Sequence, residues 1–411
     1  MSAPGVDAAR VLADLRELRN RTADERGAQR LCWTDGWLNA RAFLEELLAE
    51  LNLEIERDEA GNLWALLEGR DSGAPALALG SHLDSVPDGG WLDGALGVMA
   101  AVGVLRAHAQ ADTPPARSLA VVDWADEEGA RFGRSLFGSS AFSGSLDPAA
   151  LDGLADEAGM SIARVLSEHG VDVARAPECA ARRDGIGQYL ELHIEQGPRM
   201  DAEGTPVAVV AGCVGIERLR FEFTGQASHA GTTPMAMRRD AALAAAEAAL
   251  AVERVPIAHG GVATTGELRL TPGIATAVAG EAVLSVDLRH ENALDLAGML
   301  AGVRAAAHAV AAARDCEVNE HPVWRIDPTP FDPGLVDLAR AACADAVGSG
   351  HEITSGALHD AAEVARVLPA AMLFAPSTAG ISHAVGEDTP EADLALAIET
   401  FGALANRVLE A

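Results

Sequence analysis

Ionisable side chains follow short apolar runs at widely separated places in this chain. They are His82, Asp93, Glu127, Glu128, His193 and His383. The buried strands of an open α/β sheet are apolar runs of this kind, and such sheets bind ligands at the carboxyl ends of their strands. The pattern therefore predicts that three imidazoles and three carboxylates meet at one sheet edge. That donor set suits two divalent ions such as Zn, Mn, Co or Ni, which indicates a metallohydrolase.

Strand and helix patterns alternate around these positions. Buried strands are predicted at 76–80, 119–122 and 189–192, and a helix is predicted at 94–108. A further apolar stretch at 371–374 leads into the loop that carries the last histidine. Each ionisable group lies at or just beyond the C-terminal end of a predicted strand, so motif placement and inferred topology agree.

The pattern changes at about Cys213. A helix is expected to begin at Thr233-Pro234, because proline at the first helical position behind a threonine cap is a helix start signal. The predicted elements in this part are a strand at 217–223, a helix from 233 to about 253, strands at 261–270 and 281–289, a helix at 294–312 and a strand at 317–324. This β-α-β-β-α-β order predicts an inserted two-layer α+β domain.

The expected fold is therefore α/β with a discontinuous catalytic domain. Residues 1–212 and 326–411 would form the metallohydrolase domain on a mixed, mainly parallel sheet, and 213–325 would form a lid or dimerisation domain. At 411 residues and 49% hydrophobic content, the chain exceeds a single core, which agrees with two domains.

Charge and composition exclude several classes of function. Asp and Glu number 61 against 31 Lys and Arg, and the net charge of −30 repels nucleic acids and anionic membrane surfaces. The sequence contains no lysine, which excludes a Schiff-base lysine, a P-loop lysine and a carbamylated lysine between two metals. Any bridge in a two-metal site must then be a carboxylate or water.

The ends and the cysteines indicate a cytoplasmic protein. The N-terminal residues lack a basic segment followed by an apolar one, and no later stretch approaches eighteen uninterrupted apolar residues. Five widely spaced cysteines without a C-x-x-C motif are typical of reduced, buried thiols.

Each motif taken alone has an ordinary structural explanation. A single histidine after a strand is more often a hydrogen-bonded residue than a metal ligand, and an acidic pair is most often a solvated turn. For His82, however, Asp84 can accept the second ring N–H, as partners of ligating histidines do. Glu127-Glu128 follows an apolar strand and precedes Gly129, which suits one carboxylate on a metal and one beside it as general base.

Six sequence blocks carry a family resemblance over nearly the whole chain. They are GSHLDSVPDGGWLDGALGV (80–98), DEEGARF (126–132), ELHIEQGP (191–198), GQASHAGTTPM (225–235), SVDLRH (285–290) and SGALHDA (355–361). In this order they resemble the metal-dependent amidohydrolases of the hydantoinase/carbamoylase group. That group includes N-carbamoyl-L-amino acid hydrolases, β-ureidopropionases and allantoate amidohydrolases.

The resemblance implies a role for each matching residue. Metal ligands would be His82, Asp93 as the bridging carboxylate, Glu128, His193 and His383. Glu127 would be the general base, Gln196 and Arg289 would contact the substrate, and His229 would reach into the partner subunit's site to polarise the scissile carbonyl. The resemblance thus implies a homodimer joined through the inserted domain.

Physical chemistry supports these roles and leaves two alternatives open. Two ions sharing a water would lower its pKa towards neutrality, and Glu127 could take its proton and return it to the leaving nitrogen. His229 could donate to the developing oxyanion, or it could be an ordinary turn histidine. Arg289 offers a planar fork suited to a substrate carboxylate, or it could form a rim salt bridge.

Three departures from the family pattern lie near the expected substrate pocket. Thr276 stands where the family usually has an asparagine, Trp91-Leu92 replaces a usual basic residue, and Leu358 replaces a common glycine. A threonine offers one hydroxyl where an asparagine offers a donor and an acceptor. We therefore expect weaker turnover of small carbamoyl amino acids than of substrates with an apolar or aromatic part.

The sequence thus predicts a cytoplasmic, homodimeric two-metal amidohydrolase that cleaves a C–N bond in a small carboxylate-bearing substrate. N-carbamoyl-L-amino acids are the first choice. The alternatives are hydrolysis of allantoate or ureidoglycolate, of β-ureidopropionate, or of N-acyl amino acids and simple amides. Outside enzymes, the alternative is a catalytically silent metal-binding scaffold.

Overall fold

The computed structural model describes residues 4–411, which form two compact units. The first comprises the described residues up to Gly212 together with Pro330–Ala411, and the second is Cys213–Thr329. The sequence had suggested that the insert ends at 325. That position lies inside a strand that continues to Ile326, so the junction comes only after Thr329.

The first unit is built on a nine-stranded mixed sheet. The strands of this sheet, two of which reach the junctions, are β3 (Ile55–Arg57), β4 (Leu63–Leu67), β5 (Ala76–His82), β6 (Leu119–Trp124), β7 (Ile186–Ile194), β8 (Ala208–Cys213), β15 (Thr329–Pro330), β16 (Glu352–Ser355) and β17 (Ala370–Ala375). A separate two-stranded sheet consists of β1 (Ala23–Asp24) and β2 (Gly27–Ala28). Its helices are α1 (Ala8–Thr22), α2 (Asp35–Ala49), α3 (Ala95–Ala109), α4 (Phe137–Ser143), α5 (Ile162–Glu168), α6 (Arg199–Glu203), α9 (Pro333–Val347), α10 (Asp360–Val364) and α11 (Glu391–Glu410).

The centre of this sheet is parallel and its flanks are antiparallel. The strand order is β15-β8-β17-β7-β5-β6-β4-β3, with β16 paired to β8. Strands β17, β7, β5 and β6 run parallel to their neighbours in this group, whereas β8, β4 and β3 pair antiparallel. The carboxyl ends of four neighbouring strands therefore share one edge. The predicted α/β class is confirmed.

Helix packing explains why the central strands are apolar throughout. Every residue of β5 and of β6 is buried, as is typical of parallel strands covered on both faces. Gly97 of α3 lies so close to the sheet that a Cβ there would come within 2.3 Å of the Leu192 carbonyl oxygen. A glycine at this position thus lets α3 pack directly against the strands that carry the ionisable residues.

The second unit has the expected β-α-β-β-α-β order around a four-stranded antiparallel sheet. Its elements are β9 (Gly215–Thr224), β10 (Ser228–His229), α7 (Ala241–His259), β11 (Val262–Thr271), β12 (Ala277–Val278), β13 (Glu281–His290), α8 (Ala293–Ala313) and β14 (Glu317–Ile326). The sheet order is β11-β13-β9-β14, and β10 pairs separately with β12. Alternate residues of β13 are buried, so one face of the sheet carries the core against both helices.

The predicted start of the first helix in this unit is wrong. Pro234 precedes only a short 3₁₀ turn at Met235–Met237, and α7 begins at Ala241. The cap is Asp240, whose Oδ1 accepts hydrogen bonds from the backbone N–H groups of Ala242 and Leu243. A carboxylate cap that satisfies two helix donors outweighs the Thr-Pro signal seven residues earlier.

Among the described residues, the helix Ala293–Ala313 is long and apolar enough to cross a membrane by length and composition alone. Its Leu296, Met299 and Val303 side chains are buried in the core of the second unit, beside Phe221 of β9. These contacts are those of an amphipathic helix packed on a sheet.

A buried ion pair joins the first unit's core to the loop after β5. The Arg41 guanidinium donates to Asp123 Oδ2 at 2.6 Å, and both side chains are almost completely buried. Asp123 Oδ1 accepts the backbone N–H of Leu83 at 2.8 Å, and Arg41 also donates to the Gly61 carbonyl oxygen. The pair therefore holds the segment that immediately follows His82.

We expect Arg41→Ala to lower the free energy of unfolding by about 3–5 kcal/mol, because it leaves the Asp123 carboxylate buried without its partner. The matched control is Arg57→Ala, since Arg57 pairs with Glu45 on the surface and exposed pairs contribute about 0–1 kcal/mol. Urea-induced unfolding of both variants measures the difference. Equal losses in the two variants would contradict the structural role assigned to Arg41.

Candidate metal centre

The predicted ligands lie together at the carboxyl edge of the four parallel strands. His82 is the last residue of β5, and His193 is the next-to-last residue of β7. Glu127 and Glu128 follow β6, and His383 lies in the loop after β17. These residues lie close together because each is at or beyond the carboxyl end of a strand, and the carboxyl ends of parallel strands share one edge of the sheet.

The carboxylate of Asp93 stands between two groups of ligands. Its Oδ1 lies 3.2 Å from His193 Nε2 and 3.7 Å from His82 Nε2. Its Oδ2 lies 3.1 Å from His383 Nε2, which in turn lies 3.6 Å from Glu128 Oε1. The structure thus forms two triads that share Asp93, each with donor atoms within 4.8 Å of one another.

Backbone carbonyls set the orientation of the two buried histidines. His82 Nδ1 lies 3.0 Å from the Asp84 carbonyl oxygen, and His193 Nδ1 lies 2.9 Å from the Ile194 carbonyl oxygen. A carbonyl oxygen can only accept, so Nδ1 carries the proton in both rings. In the neutral tautomer each Nε2 then presents its lone pair towards Asp93, as a metal ligand requires.

Asp84 supports the site differently from the sequence expectation. Its carboxylate lies 3.7 Å from His82 Nδ1, whereas its backbone carbonyl oxygen makes the closer contact. The carboxylate instead accepts the backbone N–H groups of Glu127 at 3.2 Å and Glu128 at 3.1 Å. Asp84 therefore holds the acidic turn in place, and its main chain orients the histidine.

Gly94 allows the chain to pass beside His82. Its φ is 63°, and a Cβ there would lie 2.4 Å from the His82 carbonyl oxygen and 2.5 Å from the ring. A residue with a side chain would be strained at this φ and would collide with the histidine. The Asp-Gly pair in the 80–98 block is thus a steric requirement of the site.

Burial and like charges raise the pKa of Glu127 and Glu128. Burial, and then the negative charge of Asp93, raise the pKa of Glu128 to about 8. Burial, and then Glu128, raise the pKa of Glu127 well above its usual range. Burial lowers the pKa of His82 to about 4, so its ring is neutral at pH 7. Mutually repelling acids beside the neutral His82 ring favour the binding of cations at this edge.

The residues present fit two divalent cations. Glu128 Oε1 is buried and has no hydrogen-bond partner among residues 4–411. It forms a triad with Asp93 and His383, and the other triad offers two imidazole nitrogens with their lone pairs directed inwards. Imidazole and carboxylate ligands suit Zn, Mn, Co and Ni, and Asp93 has one oxygen for each ion.

Gln196 lies against the same carboxylate. Its Nε2 donates to Asp93 Oδ2 at 2.9 Å and lies 3.2 Å from His383 Nε2. Its backbone has a φ of 60°, and its N–H donates to Ser377 Oγ at 2.9 Å. The side chain predicted to contact substrate is thus held at the edge of the metal centre.

The second unit places two of the predicted substrate residues together. His229 pairs with Ala277 in the β10–β12 ladder, and Thr276 accepts the N–H of Ala230. Both His229 and Thr276 are exposed. His229 Nδ1 accepts the Gly231 N–H at 3.1 Å, so the neutral ring carries its proton on Nε2. His229 can therefore present an N–H donor to a ligand.

Arg289 forms the salt bridge that was the alternative for it. Its Nε donates to Asp287 Oδ1 at 2.8 Å, and Asp287 Oδ2 accepts from Arg218 at 2.6 Å. Asp287 and Arg289 are two residues apart on β13, so their side chains lie on the same face of the strand. A role for Arg289 in substrate binding stays a prediction.

The departures from the family pattern have different surroundings. Trp91 is half-buried, and the Arg19 guanidinium lies 5.4 Å from its ring centroid. Leu358 is also half-buried and directly precedes His359. Trp91 therefore has a cationic side chain of α1 over its ring, while Leu358 lies beside a histidine of the centre.

Sequence reasoning missed two buried residues of this centre. The His359 ring lies 4.4 Å from the His193 ring, and its Nε2 lies 3.0 Å from Ser355 Oγ. Glu387 accepts the backbone N–H groups of Leu92 and Asp93. The sequence signal for His359 was its place in the SGALHDA block. The only signal for Glu387 was its position four residues after His383, the last predicted ligand.

Comparisons with known proteins give the family. The model of peptidase family M20/M25/M40 matches residues 78–407. N-carbamoyl-L-amino-acid amidohydrolase of Paenarthrobacter aurescens is 35% identical over 405 residues, which are 96% of each chain. Allantoate amidohydrolase of Bacillus subtilis is 30% identical over 379 residues, 91% of each chain. The crystal structure of a hydantoinase/carbamoylase family amidase from Burkholderia ambifaria matches with a TM-score of 0.88 and 35% identity, over 99% of this chain and 98% of that one.

The M20 family typically binds two metal ions, in agreement with the two triads around Asp93. The family model covers most of the chain, and the amidohydrolase relatives match it nearly from end to end. The chain therefore belongs to peptidase family M20/M25/M40 and, within it, to the hydantoinase/carbamoylase amidases, which are hydrolases of carbon–nitrogen bonds other than peptide bonds.

Proposed function

We propose that this amidohydrolase cleaves N-carbamoyl-L-amino acids to the free amino acid, carbon dioxide and ammonia. The observation that carries the proposal is the pair of ligand triads sharing Asp93, with Glu127 beside them. A relative that matches 96% of the chain is an N-carbamoyl-L-amino-acid amidohydrolase. The alternative substrate class is allantoate, on which a relative at 30% identity acts.

In this proposal each triad holds one divalent ion. His82, His193 and Asp93 would hold one ion, and His383, Glu128 and Asp93 would hold the other. When bound, the ions supply Lewis acidity and lower the pKa of a shared water. Zn, Mn, Co and Ni all accept this mixture of imidazole and carboxylate ligands.

Glu127 moves the proton in this proposal. Its Oε2 lies 3.7 Å from His82 Nε2, and Glu127 belongs to neither triad. The side chain is buried, so its carboxylate can act without competition from bulk water. Glu127 takes the proton of the attacking water at its carboxylate and returns it to the leaving nitrogen, which is the task of a general base followed by a general acid.

Residues of the second unit bind and polarise the substrate. His229 donates from Nε2 to the developing oxyanion, consistent with the Gly231 bond that leaves the proton on that nitrogen. Arg289 and the Thr276 hydroxyl bind the substrate carboxylate and ureido group, and Gln196 contacts the substrate from the metal side. Asp287 keeps the Arg289 fork in one orientation.

We propose that the protein is a homodimer joined through the second unit. Strand β11 lies at one end of its sheet and carries the exposed apolar side chains of Val262, Leu268 and Leu270. An exposed apolar edge strand favours pairing with the same strand of a second copy, since a twofold axis makes the two edges antiparallel. The dimer brings His229 of one chain to the metal centre of the other.

We also propose a cytoplasmic location. Cys32, Cys179, Cys316 and Cys343 are buried free thiols, which suits a reducing compartment. The substrate is a small polar molecule that such a compartment contains in solution.

We expect the purified protein to bind two divalent ions per chain after reconstitution. His193→Ala and His383→Ala should each retain one ion, because each removes a ligand from a different triad. His308→Ala, which removes an exposed histidine of α8, should retain both. Metal analysis after gel filtration gives the stoichiometry. A wild-type protein without specific uptake, or two ions in both ligand variants, would contradict the two-triad assignment.

Glu127→Gln should keep both ions and lose on the order of 10²–10⁴ in kcat, the range for lost general acid–base catalysis. Ammonia release from a panel of N-carbamoyl-L-amino acids, their N-formyl and N-acetyl analogues and allantoate is the assay. Glu157→Gln, an exposed acidic position, is the control. Full activity in Glu127→Gln would assign the base to another group, and turnover of allantoate alone would replace the proposed substrate.

Mixing inactive Glu127→Gln chains with inactive His229→Ala chains should restore about a quarter of the wild-type activity. Random exchange makes about half of the dimers hybrids, and one of their two sites then has both residues. A mixture of Glu127→Gln with His193→Ala is the control, because both residues belong to the metal centre of one chain and no site in any hybrid has both of them. Absence of recovery despite demonstrated subunit exchange would show that His229 does not act across a dimer.

A further inference from the structure

Glu387 connects the two chain segments that carry the shared ligands. Its side chain is buried, and its Oε1 accepts the backbone N–H groups of Leu92 at 2.9 Å and Asp93 at 3.0 Å. Its Oε2 accepts the hydroxyl of Ser382 at 2.9 Å. One carboxylate thus joins the segment of Asp93 to the segment of His383, although they lie almost 300 residues apart in sequence.

We infer that Glu387 is a positioning residue that sets the separation between Asp93 and His383 through its hydrogen bonds. The inference rests on the proposed function, in which these two residues hold the same ion. Glu387 itself belongs to neither ligand triad.

The Asp93 side of this connection depends on backbone donors. Leu92 and Asp93 precede α3, which begins only at Ala95, so their N–H groups have no partner within that helix. Both residues are buried, and a buried N–H without an acceptor costs about 1–3 kcal/mol. The two bonds to Glu387 Oε1 therefore decide where the main chain of Asp93 lies, and with it the carboxylate.

The His383 side is held by the turn that contains Glu387. The Glu387 N–H donates to the Ala384 carbonyl oxygen at 3.0 Å, which closes a turn directly after His383. Ser382 precedes the histidine, and its hydroxyl oxygen also lies 3.3 Å from Asp93 Oδ2. Ser382 thus donates to the Glu387 carboxylate, and Ala384 accepts the Glu387 backbone N–H, so both sequence neighbours of His383 are bonded to Glu387.

The loop before Asp93 is shaped around this carboxylate. A Cβ on Gly90 would lie 1.9 Å from Glu387 Cδ, so no larger residue fits there. On the other side of the loop, the buried Arg30 guanidinium donates to the Leu83 carbonyl oxygen at 2.7 Å and lies 3.5 Å from the Gly90 carbonyl oxygen. Both ends of the loop between the first two ligands are therefore anchored by buried charged side chains.

Two substitutions separate the hydrogen bonds of Glu387 from its charge. Glu387→Gln keeps the length of the side chain and an oxygen that can accept both N–H groups, but it removes the negative charge. Glu387→Asp keeps the charge, but it is one methylene shorter and cannot reach both segments. Asp388→Asn is the matched control, since it removes an exposed charge from the neighbouring position.

The experiment measures the affinity for Zn²⁺ and Mn²⁺ by competition with a chromophoric chelator, together with the Tm of the metal-free proteins. Glu387→Asp should bind one of its two ions about 10–100-fold more weakly, the range for lost support of a metal ligand, and kcat should fall with KM little changed. Glu387→Gln and Asp388→Asn should bind both ions with affinities close to the wild-type values.

Wild-type affinity for both ions in Glu387→Asp would overturn the inference. So would a loss in Glu387→Gln as large as in Glu387→Asp, because the negative charge rather than the hydrogen bonds would then be responsible. Metal-free Tm values show whether any loss merely reflects a destabilised fold. If the wild-type protein itself binds no ions, the proposed function fails, and this outcome is distinct from failure of the positioning role.

Discussion

The arrangement of polar residues in the first unit depends on the carboxylate of Asp93, which the two ligand triads share. Its two oxygens face histidines from separate chain segments, at 3.2 Å for His193 of β7 and 3.1 Å for His383 of the loop after β17. Burying several acids at one place costs free energy unless cations or protons compensate their charge. Parallel strands make this concentration possible because their carboxyl ends meet at one edge, and the rest of the unit holds that edge rigid.

The ionisable residues at this edge could be predicted because a buried strand is recognisable from its run of apolar residues. Strands β5 and β6 are buried at every residue and are apolar almost throughout, so the first ionisable side chains after them mark the strand ends. The α/β class and the family followed from the same local pattern and from the blocks around it, and both are confirmed. The kind of metal ion was predicted only from the residue types of the expected ligands.

Contacts that depend on backbone geometry could not be predicted in this way. The spacing of Asp84 and His82 predicted that the Asp84 carboxylate accepts the ring N–H of His82. In the structure the backbone carbonyl oxygen of Asp84 makes that contact, and the carboxylate accepts the backbone N–H groups of Glu127 and Glu128. Glu387 acts on main-chain N–H groups, which leave no trace in side-chain patterns. The pair formed by Arg289 and Asp287 was accessible from sequence, since residues two apart on a strand share a face.

The placement of the polar residues reflects two different physical demands. Ions need ligands held within a few tenths of an ångström, and such accuracy comes from buried strands whose neighbours cannot move. His82 and His193 meet this demand, because both are fully packed and both have Nδ1 tied to a carbonyl. The donor that we propose to polarise the substrate must instead be reachable from solvent, and His229 is exposed. A single hydrogen bond from the Gly231 N–H, rather than packing, sets the orientation of the His229 ring. The proton of the neutral ring is therefore on Nε2 although the side chain is exposed.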